Sequence, residues 1–268
     1  MTRKVVLSRK GFDLSAGGKP SFIYGNRLIT LPIPGDGTSG ISYDRLRFDD
    51  QYSLQHVMRE VGIPAYSDCH LDPDLHSATY SNRDDHWRPS FGQAEKQETR
   101  LKNGGVGPGD VFLFYGWFKE IQKGNNGRFQ YVRNARDLHV IYGYMIVDSV
   151  LDLGDPKIEV PSYIQYHPHV MNRINYGKQN RIYSGIEAGL FQYHKDLVLT
   201  RQGESRSRWE LPSFFAKEEF AAKVNRAKLP NGNVALDFIG RNSQELLITS
   251  SEQVLEWALN IIRRIPKG

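Results

Sequence analysis

The sequence predicts an α+β protein: a mixed, largely antiparallel sheet or partly closed barrel, with flanking helices and a C-terminal helix packed on the sheet. Three observations predict it. β-Prone apolar runs outnumber helical patterns along the 268 residues. These runs do not alternate regularly with helices, and no GxGxxG follows a strand, which disfavours a doubly wound parallel sheet. The final segment carries the apolar spacing of an amphipathic helix.

Lys4 to Ser8 reads as a first strand, because Val5, Val6 and Leu7 form a β-prone apolar run. A glycine-containing turn covers residues 11–19. Residues 21–34 read as extended, since Pro32 and Pro34 exclude a helix. Residues 44–62 read as a helix with Leu46, Leu54, Val57, Met58 and Val61 on its apolar side, stopped by Gly62 and Pro64. Residues 65–92 are polar, aperiodic and rich in His, Asp, Ser and Trp, the pattern of a functional loop. Residues 92–103 read as a short exposed helix.

Val111–Trp117 and His139–Val147 read as strands able to pair antiparallel across a connection at 118–138, whose tip is Gly124-Asn125-Asn126-Gly127. Tyr183 to Leu199 reads as two strands split near Gly189. Residues 234–239 and 245–249 read as a closing pair joined through Gly240-Arg241-Asn242. In the last helix Ser250 or Ser251 is the cap, and Val254, Trp257, Ala258, Ile261 and Ile262 share one face. Glu252 near its start and Arg263 and Arg264 near its end suit the macrodipole, and Pro266 ends it. The chain is expected to form a single domain over residues 1–268.

Composition bounds the function classes. Apolar residues make up 39% of the chain and aromatics 12%, enough for a sizeable core, which disfavours a disordered chain. No run of about 18 apolar residues exists to span a membrane. The basic N-terminal start is followed by only three apolar residues, too few for a signal-peptide core, so a cytoplasmic location is expected. With Cys69 alone, no disulfide within the chain and no cysteine-rich zinc site can form. Cys69 itself reads as an inert buried residue rather than a nucleophile. A formal net charge of +5 and a pI near 9.1 favour an anionic partner, a nucleotide or nucleic acid.

Several segments can carry chemistry. In Ser8-Arg9-Lys10-Gly11-Phe12-Asp13 a strand ends in a hydroxyl, two cations and a turn. Ser8, Arg9 and Lys10 with backbone N–H groups suit a phosphate, and Asp13 can orient a cation, bind a ribose hydroxyl or serve the chemistry. The plainer reading is a basic strand–turn junction. If residues 70–74 are extended, His70, Asp72 and Asp74 point the same way, either to hold a divalent metal or to supply a general base with its orienting partner. The plainer reading is a solvated acidic loop kinked at Pro73. His167 and His169 alternate likewise and could complete a metal site with His70 and Asp72, or simply bond backbone groups.

Trp87, Arg88 and Gln93 are candidates for a base pocket, an aromatic face for stacking and an amide for a base edge. Tyr115, Trp117 and Tyr142 are either further stacking groups or core. The Ser205-Arg206-Ser207-Arg208 run is either a phosphate neighbour or a solvated loop, and Trp209 and Leu211 read as packing anchors. No GxSxG, P-loop or HxE…PCxxC occurs, which disfavours acyl transfer, P-loop phosphoryl transfer and zinc deamination.

Several segments together resemble one family. They are Leu7-Ser8-Arg9-Lys10-Gly11-Phe12-Asp13 with Gly17-Gly18-Lys19-Pro20-Ser21, Leu31-Pro32-Ile33-Pro34, His70-Leu71-Asp72-Pro73-Asp74-Leu75 and Trp87-Arg88-Pro89-Ser90-Phe91-Gly92-Gln93. Gly109-Asp110 with the strand to Phe118, His139-Val140-Ile141-Tyr142-Gly143, His167-Pro168-His169-Val170, Leu199-Thr200 and Trp209-Glu210-Leu211-Pro212 continue them. The chain is similar to the nucleotide modification associated domain 3 family from residue 5 to about residue 249. The resemblance implies a link to DNA base hypermodification and assigns no reaction and no catalytic residue. The chain departs from it at Ser243, where a glycine is expected before the retained Gln244-Glu245.

Over residues 104–150 the chain is also similar to PUA-like barrels, including EVE and ASCH modules, which bind modified bases or RNA. Two function classes follow. The first is an enzyme that transfers or hydrolyses a group on a nucleotide or DNA base, bound in a polar cleft built from residues 8–13, 70–74 and 87–93. The alternative is a non-catalytic reader of modified bases.

Overall fold

The computed structural model describes residues 2–81, 83–240 and 243–268. Strand β1 (Val5–Arg9) is followed by a turn in which Gly11 has φ +82°, a left-handed conformation that favours glycine. Strands β2 (Ser21–Tyr24) and β3 (Arg27–Ile29) form a hairpin, and β4 (Ile33–Pro34) follows. Helix α1 (Leu54–Glu60) precedes β5 (Cys69–His70), which pairs antiparallel with β4. Strand β6 (Ser90–Ala94) runs directly into α2 (Glu95–Asn103). Long strands β7 (Val111–Lys123) and β9 (Leu138–Asp152) flank β8 (Phe129–Tyr131).

Two single-turn helices, α3 (Pro168–Met171) and α4 (Arg173–Tyr176), lead into β10 (Asn180–Leu190). The chain then forms β11 (Arg208–Leu211), β12 (Lys223–Lys228), β13 (Val234–Ile239), β14 (Glu245–Thr249) and α5 (Glu252–Arg264). Among the described residues there are fourteen strands and five α-helices, a mixed α+β fold as the sequence predicts.

The principal sheet runs β14-β1-β7-β9-β10-β6, with β2 and β8 also joined to β7. Its pairings are antiparallel except β1 with β7 and β2 with β7. The sheet curls into a half-barrel. Strands β6 and β14 lie at opposite ends of the pairing order, yet Gln93 of β6 donates to Glu245 Oε1 of β14 at 2.6 Å. Inside the curl, Phe91 of β6 lies 5.1 Å from Phe112 and 5.2 Å from Phe114 of β7, although the two strands do not pair. Helix α2 covers the seam: Arg100 donates to the Glu245 carbonyl at 2.9 Å, and Gln97 accepts from Ser243 at 2.6 Å. The two open edges are thereby shielded by side chains and a helix rather than by backbone pairing.

A second apolar cluster, including Phe12, Phe22, Phe48, Leu71 and Phe129, packs residues 12–71 beside the half-barrel. Helix α5 buries Val254, Ala258, Ile261 and Ile262 as expected. Ser251 stands at its N-cap with extended backbone, but its side chain makes no capping bond.

Four expectations change. Residues 234–239 and 245–249 do not pair with each other. β13 is the centre of a small sheet with β11 and β12, whereas β14 pairs with β1 and buries Leu246 and Leu247, one on each side of the sheet. The predicted turn residues Arg241 and Asn242 lie outside the described residues. The helix expected at 44–62 shrinks to α1, because the Asp49 carboxylate accepts from the amides of Gln51 and Tyr52 and makes a turn there. Ser53 starts α1 by accepting from the His56 amide. The two strands expected at 183–199 are one, β10, running through Gly189. Strand β6 takes the end of the loop expected at 65–92 and the start of the helix expected at 92–103, because it is so short and so fully buried that it shows no periodicity.

Candidate functional site

A cavity of about 480 Å³ opens where the half-barrel seam meets the second apolar cluster. The end of β1 and the turn after it contribute Arg9, Lys10 and Asp13, the chain after β4 contributes Asp36, β5 and the residues after it contribute His70 and Asp72, β6 contributes Gln93, and α3 and α4 contribute His169 and Tyr176. Five segments far apart in sequence therefore meet.

The centre of its polar wall is Asp72. Its Oδ1 accepts from the Gly92 amide at 2.8 Å and faces His167 Nε2 at 3.5 Å. Its Oδ2 faces His70 Nε2 at 3.6 Å and His169 Nε2 at 3.7 Å. Gly92 is a glycine for a steric reason. A Cβ there would stand 2.4 Å from the His169 ring and 2.7 Å from His167, so any side chain would expel the imidazoles. Tyr176 stacks on His169 at 4.4 Å and 12°, fixing the ring from its other face.

Hydrogen bonds fix the tautomers. Asn180 donates through Nδ2 to the His169 carbonyl at 3.0 Å, so its Oδ1, 2.8 Å from His169 Nδ1, accepts from that nitrogen. The Nε2 of a neutral His169 then carries a lone pair, directed at an ionised oxygen. Burial favours the neutral form of His169, pushing its pKa down to about 3 despite the Asp72 charge. Burial works against Asp72 ionisation too, but the nearby His167 and His70 outweigh it and hold the carboxyl well below its usual range.

Two lone pairs facing each other across 3.7 Å repel unless a cation lies between them. Among the described residues, His70, Asp72 and His169 offer ligand atoms all within 4.8 Å of one another. Ligands about 2.1 Å from a tetrahedral ion stand roughly 3.4 Å apart, close to the two separations from Asp72. His167 plays a different part. At the N-cap of α3 its Nδ1 accepts from the His169 amide at 3.2 Å, which leaves the proton on Nε2 and turns it to Asp72. The two histidines reach Asp72 through a helix cap rather than by strand alternation.

Along the seam, Glu245 is fully buried and Lys10 nearly so, with Lys10 Nζ 3.1 Å from Glu245 Oε1. Ser8 at 3.2 Å and Gln93 at 2.6 Å donate to the same oxygen, and Lys10 Nζ also lies 4.5 Å from the centre of the Phe91 ring. Lys10 is therefore charge-compensated by the protein. Gln93 is engaged in both directions, since its Oε1 accepts from the Ala94 amide at 3.0 Å. Arg9 is the more available cation: among the described residues its only ion-paired carboxylate is Asp13, at 3.4 Å, and Asp13 is also shared with Ser15 and Ala16.

Other predicted residues lie elsewhere. Asp74 is fully buried away from the cavity, where Arg83 grips it through both oxygens, Tyr166 donates at 2.6 Å and the Trp87 indole at 3.1 Å. Asp74 and Trp87 thus belong to one packed unit, with Arg83 4.6 Å over the Trp87 ring. Arg88 is exposed and pairs with Asp148 at 2.9 Å. Ser8 is buried behind the seam. Tyr115 and Tyr142 are core, and Cys69 is buried, its thiol pKa pushed up by burial.

Sequence reading did not single out Glu245, Asn180, Tyr176 or Glu98. For Glu245 the one signal is the retained Gln244-Glu245 of the family resemblance. The others acquire their roles only through contacts made in the fold.

No curated protein and no solved structure matches the chain. The family described as nucleotide modification associated domain 3 matches residues 4–247, nearly the whole length, including every residue of the cavity wall described above. The chain therefore belongs to the nucleotide modification associated domain 3 family.

Proposed function

We propose that the protein is an enzyme acting on a nucleotide or DNA base, with the cavity at the barrel seam as its active site. The observation that carries this reading is the convergence in one cavity of Arg9 with the His70, Asp72 and His169 cluster. Arg9, oriented by Asp13, takes a phosphate. His70, Asp72 and His169 hold a divalent ion. Two imidazoles and one carboxylate suit a first-row transition metal better than the all-oxygen preferences of magnesium or calcium, and leave positions open for water and a substrate oxygen.

A metal so held supplies a Lewis acid and an activated water. His167 and the Gly92 amide keep Asp72 oriented, and Asn180 keeps the His169 lone pair turned inward, as outer partners of metal ligands do. The Lys10–Glu245 pair closes the wall behind the substrate.

Thermal unfolding with Mn²⁺ alone, a deoxynucleoside monophosphate alone, and both together tests this reading, because a ligand that binds only the folded state raises Tm. Each ligand should raise Tm. Asp72→Asn should abolish the metal shift, and Arg9→Ala should diminish the nucleotide shift. A nucleotide shift with no metal shift would replace the enzyme by a non-catalytic reader, and no shift with either ligand would defeat both readings.

A further inference from the structure

A second cavity, of about 370 Å³, lies beside the first and shares Arg9, Asp13 and Ser15 with it. Its far wall comes from β7, the start of β9 and the loop before β11, through Trp117, His139 and Arg206. Nothing in the proposed chemistry uses these residues.

Their arrangement suits an anion and a flat ring. The Arg206 guanidinium lies 4.1 Å from the centre of the Trp117 ring, a close cation–π stack, and no carboxylate stands within ion-pair distance of it among the described residues. Arg9 faces the same cavity, and burial lowers the pKa of Arg206, with the attraction of Asp137 and then the repulsion of Arg9 as smaller, opposing influences. Arg9 keeps Asp13 at 3.4 Å, so Arg206, which has no ion-paired carboxylate among the described residues, leaves the cavity with an excess of positive charge that suits an anion.

His139 adds a donor of fixed tautomer. Its Nδ1 accepts from the Trp209 indole at 3.0 Å, so the proton of the neutral ring is on Nε2, which has no acceptor among the described residues. Burial, reinforced by Arg206 and Arg9, keeps this ring neutral by pushing its pKa down to about 3. Leu14, 72% exposed, adds apolar surface at the rim.

We infer that this second cavity receives the neighbouring nucleotide of a single-stranded DNA, with Arg9 and Arg206 taking the linking phosphate and the Arg206–Trp117 stack the adjacent base. The inference rests on the proposed function, in that the first cavity takes the nucleotide to be modified, and it deepens it: the substrate is a polynucleotide rather than a free nucleotide. Guanidinium planes stack on bases and their N–H groups bond phosphate oxygens, so one stacked arginine serves both groups. Stacking tolerates any base, so this subsite holds the strand without reading sequence.

Fluorescence anisotropy tests this, using a labelled single-stranded tetradeoxynucleotide and competition by a deoxynucleoside monophosphate over a range of salt. The wild-type protein should bind the tetranucleotide at least about tenfold more tightly than the monophosphate. Arg206→Ala should remove that advantage, leave monophosphate affinity unchanged, and reduce the salt dependence by about one phosphate contact. Arg206→Lys should keep the salt dependence and lose most of the affinity gain, because it retains charge without the plane.

Equal binding of tetranucleotide and monophosphate by the wild-type protein, or an equal loss of both in Arg206→Ala, would overturn the second subsite while leaving the first intact. Arg206-dependent binding of the tetranucleotide with no monophosphate binding would do the reverse.

Discussion

Removing the charge of Glu245 by Glu245→Gln tests whether the barrel seam is held by a buried ion pair. Glu245 has no exposed side-chain surface and Lys10 only 7%, and the 3.1 Å contact is reinforced by Ser8 and Gln93 on the same oxygen. The variant keeps an acceptor for Ser8 and Gln93 but strands the Lys10 ammonium against the Phe91 ring. Breaking one partner of a buried pair costs about 3–5 kcal/mol, much of it from the charge left behind. At about 2–4 °C per kcal/mol for chains of comparable size, Tm should fall by some 6–20 °C.

Lys10→Met should cost a similar amount, and the double variant should cost no more than the larger single, because no lone charge remains. Urea denaturation of the four proteins measures the coupling, expected to be at least about 2 kcal/mol. Additivity of the two single losses within about 0.5 kcal/mol would refute the idea that the two charges depend on each other.

Three further outcomes follow from the geometry. Gly92→Ala should cost about 1–3 kcal/mol by overpacking and should also abolish metal binding, because its Cβ would stand 2.4 Å from the His169 ring; calorimetric metal titration beside urea denaturation checks both. Glu98 is buried against Tyr183, and burial raises its pKa to about 7 from an ordinary value of 4.5. The folded state therefore holds a proton that the unfolded state releases, and the contribution of Glu98 to stability should be complete below pH 4.5 and fall by up to ~1.4 kcal/mol per pH unit up to about pH 7. Glu98→Gln should flatten that window in a pH series of denaturation midpoints. Cys69 should resist alkylation in the native protein and react once the chain is unfolded, as mass spectrometry after iodoacetamide treatment would show, because its thiol is buried and held protonated.

The parts of the fold legible in the sequence are those with a long period or a strong apolar run. Strand β1, the β7 and β9 pair and helix α5 each bury enough consecutive or regularly spaced apolar residues to announce themselves. Strand β6 has five buried residues, one of them a glycine, too few to show a period, and the sequence suggests β13 as the partner of β14 because local turns are readable and long-range pairing is not.

The cavity is legible as residue types: His70, Asp72, His169, Arg9 and Gln93 stand out in the sequence as groups able to bind a metal, a phosphate or a base edge. The separation of Asp74 from Asp72 was not legible, since it depends on Arg83, Trp87 and Tyr166 arriving from two other segments. Nor was the role of Glu245, which is set by the closing of the barrel rather than by its neighbours in sequence.

The central claim is that metal and nucleotide occupy one cavity. Phosphorus-31 relaxation of a bound deoxynucleoside monophosphate, measured with Mn²⁺ on the wild-type protein and on Asp72→Asn, tests it most directly. The account predicts strong paramagnetic relaxation of the phosphate in the wild-type protein and its loss in the variant while the nucleotide still binds. A bound nucleotide whose phosphorus signal ignores Mn²⁺ in the wild-type protein would contradict it.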